Sequence, residues 1–199
     1  MSYTMRHVIL GVVLPFASLG CVSRNTNSDC DGGTITDPTN LITNSSFESA
    51  GNPSMDGWVV IQGPLAPFLL ADAPDGGGCY SLAFAPGQPP SGGVVWTSIP
   101  GIQSGDVLRL SASVRVRKYG WASIGLTTEL PPNQKHGAWV ASGDTAWATV
   151  VVVDTVSLEV GDTVYVVLAG PSCELCIGTD GTGQFDLISL TREKHDSWK

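Results

Sequence analysis

The amino-acid sequence predicts an all-β protein built as an antiparallel β-sandwich. Three observations carry this expectation. Strand-length apolar runs recur with turn residues between them, one long segment alternates apolar and polar residues with a period of two, and no stretch has the spacing of a long amphipathic helix. The composition agrees, because 24 Gly and 13 Pro among 199 residues, with only 14% charged residues, suit short strands joined by tight turns. A chain of this length can bury a full core within one domain.

Taken in order, the expected strands lie near 41–47, 57–62, 79–85, 93–99, 106–117, 121–129, 147–154, 163–169 and 183–191. The segment 106–117 is the most informative. Leu108, Leu110, Ala112, Val114 and Val116 alternate there with Arg109, Ser111, Ser113, Arg115 and Arg117, so one face of the strand is core. After a turn around 118–120 the alternation resumes, with Ala122, Ile124 and Leu126 inward and Trp121, Ser123, Thr127 and Glu129 on the other side. Read as a hairpin from Asp106 to Leu130, the two strands bring Arg115, Arg117, Trp121 and Glu129 to one polar face. From Ala148 to Gly170 the chain is nearly continuously apolar over each strand, broken by a Val-Gly-Asp-Thr turn, as expected of strands covered on both sides. Strand following strand without a helix implies sheets packed face to face, a sandwich or jelly roll.

The N-terminus belongs to a different kind of element. Arg6 and His7 close a short positive end, and Val8 to Gly20 form an apolar run of about 13 residues, too short to span a bilayer and suited to a secretory signal. Ser18-Leu19-Gly20-Cys21 resembles the lipobox of bacterial lipoproteins, although Ser18 and Leu19 depart from its aliphatic and small positions. The resemblance implies cleavage of residues 1–20, acylation of Cys21, and membrane attachment through the lipid. Val22 in place of a retaining Asp implies outer-membrane or cell-surface placement in the envelope. Residues 21–39 are polar and read as a tether, 40–192 as the sandwich domain, and 193–199 as a polar tail.

Export also makes sense of the cysteines. With Cys21 lipidated, Cys30, Cys79, Cys173 and Cys176 remain, an even number for an oxidising compartment. Three pairings are open, and Cys30 with Cys79 and Cys173 with Cys176 is the favoured one. A zinc site is the alternative, weakened by the presence of a single Cys-x-x-Cys. The formal net charge of -8 disfavours phosphate backbones, so nucleic acid is not expected as a partner. His136 and His195 lie near no nucleophile motif, and nothing in the context of Glu129 and Glu159 marks a catalytic pair, so no enzyme is expected.

The domain carries a pattern along nearly its whole length. Asn40-Leu41, Asn44-Ser45-Ser46-Phe47-Glu48, Gly57-Trp58, Gly78-Cys79-Tyr80-Ser81-Leu82, Pro100-Gly101, Gly105-Asp106, Trp147 and Phe185-Asp186-Leu187 follow one another in order. This resembles the jelly-roll carbohydrate-binding modules of the galactose-binding-like superfamily. The resemblance implies non-catalytic binding of a polysaccharide or cell-surface glycan; a structural or protein-interaction lipoprotein with the same sandwich is the alternative. It also implies a structural calcium ion held by Glu48 and Asp186, with the loop 75–78 supplying backbone oxygens. The family's second Asp is Leu187 here. Trp58 and Trp147 fall at positions packed into or against the core. The expected ligand contacts are therefore Trp96, Trp121, Trp139 and Tyr119, with Arg115, Arg117 and Glu129 beside them.

Overall fold

The computed structural model describes residues 37–61, 68–84, 93–118, 120–129, 138–141, 145–170 and 181–193. All of its regular elements are strands: β1 (Glu48–Ser49), β2 (Asn52–Pro53), β3 (Val59–Ile61), β4 (Phe68–Leu70), β5 (Ser81–Phe84), β6 (Val94–Ile99), β7 (Val107–Arg117), β8 (Trp121–Thr127), β9 (Ala138–Ala141), β10 (Ala148–Thr155), β11 (Val164–Ala169) and β12 (Thr182–Glu193). Sheet I has the order β10-β7-β12-β5-β4 and sheet II the order β3-β6-β11-β8-β9, while β1 and β2 form a small ribbon. The pairings are all antiparallel. Among the described residues no helix is long and apolar enough to cross a membrane.

Alternation fixes the core. The inward residues of β7 are all buried, and Leu108, Leu110 and Val114 meet Phe185, Ile188 and Leu190 of β12 within the layer that faces Val95, Ile124, Val166 and Leu168 of sheet II. Phe84 and Phe185 pack edge to face at 5.5 Å between centroids. Each fully buried side chain of this size contributes roughly 1.5–3 kcal/mol. Trp58 joins the core against Phe47, and its indole N–H donates to Asn44 O at 3.0 Å.

The long strands lie close to their expected bounds, but four short ones, β1, β2, β4 and β9, were not foreseen. The expected strand at 41–47 is instead irregular, because Asn44 (φ 54) and Phe47 (φ 57) adopt left-handed backbone that breaks an extended run. The segment is nonetheless bound to the last strand. Leu41 N–H donates to Leu190 O at 2.8 Å, and the Asn40 side chain both donates to Ile188 O and accepts from Leu190 N–H, each at 2.9 Å.

A larger departure concerns 106–130. The expected hairpin does not exist, because β7 belongs to sheet I and β8 to sheet II. Lys118 turns through left-handed backbone (φ 52), and Gly120 packs so closely on the backbone of Thr182 that a side chain there would collide with it. The chain therefore crosses between layers at this point. The outward side chains of β7 and β8 face opposite sides of the sandwich.

Candidate functional site

Parity in sheet II sends one set of side chains into the core and the other outward. Val95 and Ile99 of β6, Ile124 and Leu126 of β8, and Val166 and Leu168 of β11 point in. Val94 and Trp96, Trp121 and Ser123, and Tyr165, Val167 and Ala169 therefore point out. There Trp96, Trp121 and Tyr165, all half-buried, pack against Val94, Val167 and Ala169. Trp96 and Tyr165 meet edge to face, with centroids 5.1 Å apart and planes at 87°.

The register gives this face its layout. Val167 lies opposite both Trp96 and Gly125, and Ala169 opposite Ser123. Small residues therefore separate Trp121 at one end from the Trp96–Tyr165 pair, about 16 Å away across two strands and four residues. The floor itself is buried, with Val167 at 6% and Ala169 at 1% exposure, so what this face can offer a ligand is the half-buried rings above it. Position 139 in β9 registers with Ser123.

The other expected contacts are distributed differently. Arg117, at the end of β7, and Glu129, just after β8, are exposed and stand on different sheets. Arg115 is only 8% exposed, not on an open face. Its Nε donates to Gln184 Oε1 at 2.5 Å, its Nη2 pairs with Asp72, and its guanidinium lies 4.6 Å from the Trp147 ring centroid. A carboxylate, an amide oxygen and a ring face thus compensate a buried cation. Trp147 is half-buried here, on the outer side of sheet I and not within the central core. Tyr119, Cys21, Cys30, Cys173 and Cys176 lie outside the described residues. Cys79 is described, and is buried.

Tyr165, Asp72 and Gln184 were not anticipated from the sequence. A tyrosine inside a valine-rich strand was the available signal for the first, since a phenol hydroxyl seeks water or a partner. Nothing in the sequence marks the other two as partners of Arg115.

A second cluster lies where the chain's first and last strands meet. Glu48 is 5% exposed and Asp186 fully buried. Glu48 Oε1 accepts from the amides of Cys79 and Tyr80, the latter at 2.6 Å, and Asp186 Oδ1 accepts from Leu187 N–H at 2.7 Å. The remaining oxygens, Glu48 Oε2 and Asp186 Oδ2, are buried without a hydrogen-bond partner. Gly77 and Gly78 close over them. A methyl group at Gly77 would collide with Asp186 Oδ2, and one at Gly78 would come within 2.5 Å of Glu48 Oε1. Burial first, and the nearby charge of Glu48 in addition, push the Asp186 carboxyl up to about 8 against the opposing effect of the Leu187 amide. Among the described residues no group of three or more His, Cys, Asp or Glu side chains could hold a metal. A cation here would have these two carboxylates and backbone oxygens. Two orphaned carboxylate oxygens under a glycine turn are a donor set that fits a hard cation such as calcium.

No protein-family model and no curated protein matches the chain. Solved structures do. The fold is similar to that of TmCBM61 in complex with beta-1,4-galactotriose, at 16% identity and a TM-score of 0.51 over 77% of this chain and 99% of that one. It is also similar to the enzymatically active domain of tailspike protein 4 of bacteriophage CBA120, at 16% identity and a TM-score of 0.57 over 78% of this chain. The match spans only 22% of the tailspike chain. A cyclase from Fischerella sp. TAU matches at 12% identity and a TM-score of 0.52, over 76% of this chain and 96% of that one. The chain thus has a β-sandwich fold found in carbohydrate-binding modules, a fold that enzymes also carry.

The carboxyl pair generates a pH dependence. Without a cation, Asp186 holds its proton up to about pH 8 in the folded protein, whereas the unfolded chain releases it near the ordinary carboxylate value of 3.8. The native state then binds the extra proton, so this contribution to stability is lost as pH rises from about 4 through 8. In chelator the melting temperature should fall across that window, and Asp186→Asn should flatten the fall. An equal slope in both proteins would show that another group is responsible.

Proposed function

We propose that this is a non-catalytic, exported module that binds a polysaccharide or cell-surface glycan across the outer face of sheet II. The observation that carries the reading is the Trp96–Tyr165 pair, with Trp121 beyond it, on a face whose described strand positions bear no charged side chain. Aromatic faces stack on the C–H surfaces of sugar rings, and an uncharged floor suits a neutral glycan better than a uronate or sulfated one. The likeness of the fold to TmCBM61, which was solved with a galactotriose, supports the same reading.

In this reading Glu48 and Asp186 hold a structural calcium ion that neutralises the two buried carboxylates and fastens the 77–80 turn to β12. Cys79 is joined in a disulfide; we take Cys30 as its partner, with Cys173 and Cys176 forming the other pair. Cys21 carries the lipid that attaches the protein to the outer membrane or cell surface.

Truncating a stacking ring should cost roughly 1.4 kcal/mol, or tenfold in affinity. Trp96→Ala, Tyr165→Ala and Trp121→Ala should each weaken retention on a panel of neutral insoluble polysaccharides by about that factor, with little dependence on salt. Unchanged retention in all three would remove this face from the account. For the metal, calcium at a hundred times its dissociation constant should stabilise the fold by about 2.7 kcal/mol. The melt should respond to calcium in the wild type and not in Glu48→Gln/Asp186→Asn, and a wild type indifferent to calcium would exclude the site. For the anchor, Cys21→Ser should abolish partitioning into detergent, whereas unchanged partitioning would exclude lipidation at that position.

A further inference from the structure

Natural sheets protect their edges, because an unpaired strand offers a row of free N–H and C=O groups to any other strand. Of the four edge strands of the two sheets, three are short: β3 and β4 have three residues each and β9 has four. The fourth, β10, has eight, Ala148 to Thr155, and its central Val150–Val153 contains no Pro, Lys or Gly. β10 pairs with β7 on one side and with no described strand on the other.

The ladder shows which groups point away from β7. Val156 N–H donates to Asp106 O, and Gly105 N–H donates to Val156 O. Antiparallel bonding alternates along a strand. Ala148, Val150, Val152 and Asp154 therefore direct their backbone groups to β7, and Thr149, Val151, Val153 and Thr155 direct theirs to the open edge. Val153 is 41% exposed.

We propose that the protein forms a twofold homodimer in which β10 pairs antiparallel with β10 of a second copy. The strand overlaps its own copy almost fully when the pair is centred on Val151. With Val151 on the axis opposite its own copy, Thr149 meets Val153 of the second chain and Val153 meets Thr149, and each of these pairs has its hydrogen-bonding groups turned to the other. Asp154 then lies opposite Ala148, so no like charges oppose each other directly despite the net charge of -8. A second copy brings the same strand to this edge in the same geometry by symmetry.

The axis of such a pair stands perpendicular to sheet I. It therefore leaves the outer faces of both copies of sheet II turned to the same side. If the function is glycan binding as proposed above, the dimer is a bivalent binder with two aromatic faces directed at one polymer, and avidity follows without any new contact.

The test is a disulfide trap in the full-length protein. Residues directly opposite in a hydrogen-bonded antiparallel pair have Cα atoms about 5.5 Å apart, within disulfide range. Val151→Cys should give a covalent dimer on mild oxidation. Thr149→Cys should not do so alone, but should when mixed with Val153→Cys. Val151→Lys should give a monomer by sedimentation with an unchanged melt, and its retention on polysaccharide should fall by about tenfold or more. The proposal is overturned if folded Val151→Cys fails to cross-link, if Thr149→Cys alone cross-links equally well, or if the edge is occupied by another protein. Because cross-linking does not depend on glycan, a protein that cross-links as expected and binds no polysaccharide overturns the functional reading and leaves the dimer standing.

Discussion

Two carboxylates buried side by side are the constraint around which the junction of the domain is organised. Ionising both without water or a counter-charge is unfavourable, and several neighbouring features offset this. The turn ahead of β5 aims two amides at Glu48, and the amide after Asp186 folds back onto it. Glycines stand where no side chain would fit. Each carboxylate also adjoins a residue in left-handed backbone, Phe47 before Glu48 and Leu187 after Asp186. Such conformations cost on the order of 1 kcal/mol or more in residues with a side chain, and persist where the surroundings impose them. Leu187 lies in the register shift of β12 between Asp186 and Ser189.

The two outer faces of the sandwich diverge in character although both arise from the same alternation. On sheet I a buried arginine is tied in, with Arg115 held among Asp72, Gln184 and Trp147, while Arg109 and Arg117 stand exposed. On sheet II the outward strand positions carry rings and small residues without charge. The first arrangement compensates a buried charge; the second packs half-buried rings on small neighbours. The fold alone could not distinguish these, since the same sandwich occurs in a phage tailspike enzyme and in a cyclase as well as in a sugar-binding module.

Much of the architecture was legible because period-two alternation survives wherever a strand is long enough to show it. The inward set of β7 could be read residue by residue, and so could that of β8. What could not be read was the relation between the two strands. A three-residue connection at 118–120 looks the same in sequence whether it closes a hairpin or crosses between sheets, and here it brings Gly120 against the backbone of Thr182, far along the chain. The same limit hid Arg115. Alternation places it correctly on the outer side, but its burial depends on Asp72 and Gln184, which no local pattern links to it. Trp96 and Trp121 were recognised as candidates individually; that they share a face with Tyr165 is a property of strand order. Glu48 and Asp186 were singled out by family resemblance alone, as neither has a local context that distinguishes it from a surface carboxylate.

The attachment of Asn40 and Leu41 to β12 has a mechanical consequence. β12 is the middle strand of sheet I, flanked by β7 and β5. Tension arriving along the chain ahead of Asn40 is handed through the Asn40 amide and the Leu41 N–H to Ile188 and Leu190 of β12, beyond the Gly183–Phe185 stretch that pairs with β5. There the ladder to β7 lies on the other side of β12, so the segment at Asn40 and Leu41 takes the load ahead of the sheet. A pull from the N-terminal side would therefore strain these few hydrogen bonds before any strand pairing.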